Sequence, residues 1–286
     1  MTAYRFRLLN VFAETRFGGN PLCVFEDGRG LDDVTMQVLA AQFNLSETTF
    51  LLPSEAADAR VRVFTPAHEM RFAGHPTLGS AHVVRDLHGG GDQLTLEFAA
   101  GLVPVCAQGD RWQLTAPSPA LPLTRPAGVS NQMLADLIGL APTDLLDQPL
   151  WVDTGTDQLL IALNSCAAVR RVTINPALAG DWPVSSLQRK TCYVFAFDPE
   201  QPQRVLARYF FMQGSGGVAE VPGTGSACAN LGGWLIARGH DLPVHYDITQ
   251  GDAVGRPCQL QLDVSAEGAI RVGGRVIQIG AGSIDL

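Results

Sequence analysis

The chain has no Cys-x-x-Cys pair, no His-Glu-x-x-His and no carboxylate cluster at metal-ligand spacing. Those absences set aside the common zinc sites, and no metal is expected. Its six cysteines (Cys23, Cys106, Cys166, Cys192, Cys228, Cys258) are widely scattered, which is neither a disulfide framework nor a zinc site, so buried free thiols are expected. Neither a Walker lysine nor a Gly-x-Gly-x-x-Gly element follows a strand, which argues against a nucleotide-dependent enzyme; no cofactor is expected. Charge is scarce at 17% of residues, the formal net charge is −8, and no basic cluster offsets it. Nucleic acid and anionic membrane are therefore poor partners. No apolar run approaches the roughly 18 residues of a membrane-spanning helix. Residues 1–12 alternate like a strand, with Arg5 and Arg7 inside the pattern, and lack the apolar core of a signal peptide. A cytoplasmic protein is expected.

What the chain does have is a repeat. Phe72-Ala73-Gly74-His75-Pro76-Thr77-Leu78-Gly79-Ser80-Ala81 returns, altered, as Val218-Ala219-Glu220-Val221-Pro222-Gly223-Thr224-Gly225-Ser226-Ala227. The copies lie 146 positions apart in a chain of 286, and the same offset pairs Arg62 with Arg208 and Phe64 with Phe210. A half-length offset reads as a duplicated domain, with a cleft between halves as the place to seek function. Pro117, Pro119, Pro122 and Pro126 interrupt helix and central strand alike, so the boundary is placed between residues 1–118 and 119–286. The last strand, about 275–286, is expected to pack back on the first half.

Period-two alternation predicts strands at 60–64 and 94–98 in the first half. Strands are also expected at 159–163, 191–197, 205–211 and 259–264 in the second. A helix is predicted over 32–43 with Leu31, Val34, Val38 and Ala41 on one face. A second runs over 76–87, opened by Pro76 and stopped by Gly89-Gly90-Gly91. Ser130 caps a short helix to Ile138, and a long helix runs from about Pro222 to Ala237. Each half is therefore α+β, a curved and mainly antiparallel sheet wrapped around one main helix. Each repeat block then falls where a strand gives way to that helix. Glycine lets the backbone approach a ligand there, and free N–H groups with partial positive charge favour a carboxylate. The competing reading is that these glycines serve only close helix–sheet packing.

The motifs Phe17-Gly18-Gly19-Asn20-Pro21, Leu45-Ser46-Glu47-Thr48-Thr49-Phe50, Arg62-Val63-Phe64-Thr65-Pro66 and Phe72-Ala73-Gly74-His75-Pro76-Thr77-Leu78-Gly79 occur in that order. Glu69 precedes the last of them; Asp153-Thr154-Gly155 and Thr224-Gly225-Ser226-Ala227 follow it. In these motifs the chain resembles the phenazine biosynthesis PhzF family, whose members share the diaminopimelate epimerase fold. The resemblance implies two pseudo-symmetric halves and a cofactor-independent isomerase that moves a proton on a small carboxylic acid. It places Glu47 at the general acid/base position and His75 beside the substrate. Asn20, Gly74, Thr224, Gly225 and Ser226 fall at substrate-binding positions. One residue departs: the family carries aspartate where this chain has Val221. The paired catalytic cysteines of the epimerases are absent, Gly74 standing at one position and the other lying at or beside Val221. Two-cysteine racemisation is thereby excluded.

Read as residues alone, several roles stay open. Glu47 leads into an apolar strand and could be a buried base or a solvated junction residue. His75 could relay a proton or bond backbone near a helix start. Ser226 could bind a ligand or satisfy its own helix, and Asn20 could close a turn or touch substrate. Asp153 and Asp157 read as turn residues and Cys228 as core. Val221 removes a charge and an acceptor, so the alternative to an isomerase is an impaired acid-binding relative. A homodimer is the default expectation for a soluble metabolic enzyme.

Overall fold

The computed structural model describes residues 1–116, 121–213 and 216–286. It divides into two compact units, Met1–Thr115 with Gly273–Leu286, and Ala116–Val272. The boundary expected at 118/119 lies outside the described residues.

Unit 1 contains β1 (Ala3–Val11), β2 (Asn20–Phe25), α1 (Asp33–Phe43), β3 (Glu47–Leu52), β4 (Ala59–Phe64) and the two-residue β5 (Glu69–Met70). Helix α2 (Gly74–His88), β6 (Gln93–Phe98), β7 (Gly101–Gln108) and β8 (Arg111–Thr115) follow. Unit 2 begins with β9 (Leu123–Pro126), α3 (Asn131–Leu137), β10 (Leu150–Asp153), β11 (Asp157–Ala162), α4 (Cys166–Arg171) and β12 (Thr191–Phe197). It continues through β13 (Arg204–Met212), β14 (Val218–Val221), α5 (Gly225–Ala237), β15 (Val244–Gln250) and β16 (Cys258–Val264). The last strand, β17 (Ile270–Asp285), pairs antiparallel with β1. This is a mixed, strand-rich fold with few helices.

The pairing order explains where the helices go. In unit 1, β1–β2 is antiparallel, β2–β3 parallel, β3–β4 antiparallel, β4–β6 parallel and β6–β7 antiparallel. Unit 2 follows the same succession through β10–β11, β11–β12, β12–β13, β13–β15 and β15–β16. Parallel neighbours cannot be joined by a tight hairpin and need a crossover. Helix α2 lies in the crossover from β4 to β6, and α5 in the crossover from β13 to β15.

Just before each of these helices, the chain makes the same clip. Arg62 on β4 lies over the Phe64 ring at 5.1 Å and bonds Glu69 through Nε and Nη2, both at 2.7 Å. Arg208 on β13 lies over Phe210 at 4.8 Å and bonds Glu220 through Nε at 3.1 Å and Nη2 at 2.8 Å. In both units the glutamate stands directly opposite that phenylalanine on a short strand, β5 or β14. The clips differ in exposure. Glu220 is 8% exposed against 40% for Glu69. Arg208 also donates to the Val172 carbonyl at 2.7 Å, fastening α4 to the sheet.

Helix α2 is buried on nearly every side over 75–84, as a helix enclosed by its own strands must be. A Cβ on Gly79 would come within 2.4 Å of Leu22, so α2 approaches β2 only because position 79 lacks a side chain. Gly233 of α5 does the same: a Cβ there would meet Thr154 and Val152 at 2.9 Å. That approach brings α5 against the β10–β11 turn.

Several expectations shift. Helix α1 is capped by Asp32, but its buried face is Met36, Leu39 and Ala40, while Val34 and Val38 are 70% and 60% exposed. Two apolar stripes share that helix, and the longer Met36 and Leu39 reach the Phe25–Phe50–Phe64 cluster, so their stripe faces inward. Helix α5 begins at Gly225, not Pro222, because β14 runs on to Val221 and Thr224 forms the N-cap. Cys106 is exposed and Cys166 half-buried, whereas the other four thiols are buried.

Removing one partner from a buried ion pair leaves the other charge stranded. We expect Arg208→Met to cost about 3 kcal/mol and Arg62→Met about 1 kcal/mol. Urea unfolding of the two variants measures the difference; equal losses would show that burial of Glu220 is immaterial.

Candidate active site

Glu47 is the first residue of β3, and Asn20 the first of β2. The two strands are parallel, with Leu22 paired to Glu47, so both begin at the same sheet edge. Helix α2 starts there too, with His75 as its second residue. Glu47 Oε2 lies 3.3 Å from His75 Nε2, yet the pair is misaligned for a hydrogen bond, and both atoms are buried without such a partner. Residual exposure of the Glu47 side chain is 17%, so access lies away from Oε2.

Both groups are tuned by the same cause. Burial pushes the Glu47 carboxyl from 4.5 up to about 7. Burial pulls the His75 imidazole from 6.5 down to about 3, against a weaker opposing hydrogen bond to the Pro21 backbone. The ring is therefore uncharged at neutral pH and does not ionise Glu47 as an imidazolium would. Asn20 Nδ2 stands 3.4 Å from His75 Nδ1, and the Ser46 hydroxyl donates to Asn20 Oδ1 at 3.1 Å. Asn20 thus orients the histidine, a role that neither open reading of it contained.

The helix starts carry a second signal. Asp32, Ser130 and Ser165 cap α1, α3 and α4 with side-chain hydrogen bonds. Helices α2 and α5 begin at Ala73 and Thr224 without one. The other caps take the third-position N–H; in α2 that position is Pro76, which has none, and in α5 it is Ala227.

Unit 2 builds its own polar cluster at the start of α5. Thr224 Oγ1 accepts from Gln250 Nε2 at 3.1 Å, and the same amide donates to the Val221 carbonyl at 2.8 Å. Ser226 Oγ accepts from Gln158 Nε2 at 2.8 Å, and Gln158 in turn is held by the buried Asn230. Val221 is half-buried at the end of β14, opposite Tyr209. The structure thus gathers Glu47, His75, Asn20 and Gly74 in unit 1, and Val221, Thr224, Gly225 and Ser226 in unit 2.

Gln158, Asn230, Gln250 and Ser46 escaped the sequence reading. Their signal is faint: a lone amide inside Gln158-Leu159-Leu160-Ile161, or inside Ala229-Asn230-Leu231. Asp153 accepts from the Gly155 N–H, as a turn residue does. Asp157 is instead buried at the start of β11. Its burial raises the carboxyl, but hydrogen bonds from Ser186 and Arg125 outweigh that and lower it, clamping the 184–186 segment.

Known proteins resemble this chain along nearly its whole length. A family model described as phenazine biosynthesis-like protein matches residues 9–282. An uncharacterized isomerase of Pasteurella multocida is 38% identical over 99% of this chain and 95% of its own length. The trans-2,3-dihydro-3-hydroxyanthranilate isomerase of Pseudomonas aeruginosa is 32% identical, covering 93% of this chain and 91% of that protein. Among solved structures, a PhzF-family protein of Bacillus anthracis superposes with a TM-score of 0.86 at 22% identity, covering 100% of both chains. With a family model spanning nearly its full length and isomerases as its relatives, this chain is an isomerase and belongs to the PhzC-PhzF family of phenazine biosynthesis-like proteins.

Proposed function

We propose that the protein is a cofactor-independent isomerase that moves a proton between carbons of a small carboxylic acid, with Glu47 as general acid/base. The observation that carries this reading is the Glu47 carboxyl: largely buried, its Oε2 out of water without a hydrogen-bond partner, and a pKa pushed up to about 7. A carboxylate there is basic enough to take a proton from carbon, and its acid form gives the proton up readily at the same pH. The step is electronically neutral overall. A C–H bond breaks as the O–H of Glu47 forms; that proton then returns to a different carbon while a double bond shifts.

Charge developing on the substrate needs fixed donors. The substrate-binding positions of this reading are Asn20 and Gly74 in unit 1, and Thr224, Gly225 and Ser226 in unit 2. Uncharged His75, its ring hydrogen-bonded to the Pro21 backbone, stands beside Glu47 without adding a charge that would acidify it. The internal repeat supports a fold of two pseudo-symmetric halves, each with a sheet around its main helix, α2 or α5. The name of the Pseudomonas relative makes trans-2,3-dihydro-3-hydroxyanthranilate the first acid to test. We further propose a homodimer in the cytoplasm.

Val221 favours a second reading, an acid-binding relative with impaired turnover. An aspartate there would offer a charge and an acceptor that valine lacks, worth about 1.5–3 kcal/mol in a charge-assisted bond.

Proton transfer is read by incubating candidate acids in deuterated water and following label into carbon. Glu47→Gln should lower the exchange rate by about 10²–10⁴-fold. Equal exchange in both proteins would remove Glu47 from the mechanism. If Glu47 is the base in the free enzyme, kcat/KM should climb with pH through about 7. A profile flat from pH 5 to 9 would contradict that role.

Stability gives an independent reading. The folded chain keeps the Glu47 proton up to about pH 7, whereas the unfolded chain releases it near 4.5, so this residue makes stability fall as pH rises across that window. His75, neutral down to about 3, acts with the opposite slope between about 3 and 6.5. Glu47→Gln should therefore gain about 2–3 kcal/mol on the wild type between pH 4 and pH 8, with His75 cancelling from the comparison. Urea titrations at both pH values measure it, and a constant difference would mean that Glu47 titrates normally. Finally, Val221→Asp should leave exchange unchanged or lower it if the first reading holds. A tenfold or larger rise, about 1.4 kcal/mol in barrier, would favour the second.

A further inference from the structure

Asn230 of α5 has no solvent exposure, and its side chain makes four hydrogen bonds. Its Oδ1 accepts from the Thr154 N–H at 2.9 Å and from Thr154 Oγ1 at 2.7 Å. Its Nδ2 donates to the Thr156 carbonyl and to Gln158 Oε1, both at 2.8 Å. A backbone N–H can only donate and a backbone carbonyl can only accept, so the main chain at Thr154 and Thr156 decides which end of this amide is which. Gln158, 5% exposed in β11, must then present Oε1 to Asn230 and Nε2 to Ser226 Oγ, 2.8 Å away. An amide nitrogen only donates. The Ser226 oxygen is therefore an acceptor on that side, and its own proton has to point elsewhere. Among the described residues, no other side-chain hydrogen bond of Ser226 exists, and the residue is half-exposed in the first turn of α5.

We infer that Gln158 and Asn230 are positioning residues that occupy one lone pair of Ser226 and keep its proton free to be donated, favouring an anionic oxygen of the substrate over a donor group. The backbone, two amides away, thereby biases the polarity that this serine presents. The inference rests on the reading of Ser226 as substrate-binding, but not on turnover.

Isosteric reversal tests it. In Gln158→Glu, one carboxylate oxygen still accepts from Asn230, while the other accepts the Ser226 proton and turns the serine lone pairs outward. Benzoate and 3-hydroxyanthranilate, titrated calorimetrically against the whole chain, serve as carboxylate probes. Ser226→Ala and Gln158→Glu should each weaken binding about ten- to a hundredfold, the range of a lost charge-assisted hydrogen bond. The double variant should stay within about threefold of Ser226→Ala alone, since without the hydroxyl there is no polarity to reverse. With a turned-over acid, the change should appear in KM more than in kcat.

A Gln158→Glu loss that persists in full in the Ser226→Ala background would show an effect of added charge or altered packing, and would overturn the inference. So would wild-type affinity in Gln158→Glu, or failure of both probes to bind the wild type at millimolar concentration. Should Gln158→Glu not fold, Gln158→Met removes the donor without adding charge. Its loss should be several-fold and again confined to chains that keep Ser226; a loss of equal size without Ser226 would overturn the inference. Because binding is read directly, these outcomes stay distinct from failure of the isomerase reading, which shows as absent deuterium exchange.

Discussion

Burial of the Glu47 carboxyl against an imidazole that carries no charge is the interaction on which the proposed chemistry depends. A solvated glutamate would sit ionised with a pKa near 4.5, too weak a base to draw a proton from carbon. A cationic histidine beside it would lower that value further. Burial raises the carboxyl and neutralises the imidazole together, so one physical cause sets both partners. The arrangement works against stability above neutral pH, and the surrounding packing has to offset it. Parallel pairing of β2 with β3 brings Asn20 and Glu47 to one edge, and the start of α2 brings His75 to the same place.

The helices divide into two kinds. Helices α1, α3 and α4 begin with a side chain that satisfies an N-terminal N–H, and their role is structural. Helices α2 and α5 begin on glycine-bearing turns without that cap, and they are the two that lie in the crossovers beside the candidate residues. The Arg62–Glu69 and Arg208–Glu220 clips fasten the short strands that lead into them. Each clip combines a bidentate ion pair with an aromatic face, so the strand end is held while the following turn stays uncapped.

Local signals were read well where one stretch of chain contained all the physics. Gly89, with φ of 60°, ends α2, and Ser130 caps α3, because a helix end is decided within a few residues. Strands β4, β6 and β16 follow their alternating patterns for the same reason. The face of α1 was misread because two stripes fit the helical period, and only the position of the phenylalanine cluster chooses between them. The start of α5 was placed early because Pro222 suits a first helical position, yet pairing of β14 with β13 holds the chain extended to Val221. Gln158 and Asn230 were invisible. Each is a single polar residue in an apolar run, and their partners lie 68 to 76 positions away.

By itself, the sequence determined the motif order, the family likeness, the candidate acid/base and the chemistry that missing cysteines exclude, since all of these reside in residue identity and spacing. Tertiary structure alone decided that Glu47 leaves water and His75 loses its charge, because desolvation depends on neighbours from distant segments. It also decided which way the Ser226 hydroxyl points. A hydroxyl takes its direction from the groups around it, and those come from β11, the β10–β11 turn and α5, which meet only once the chain has folded.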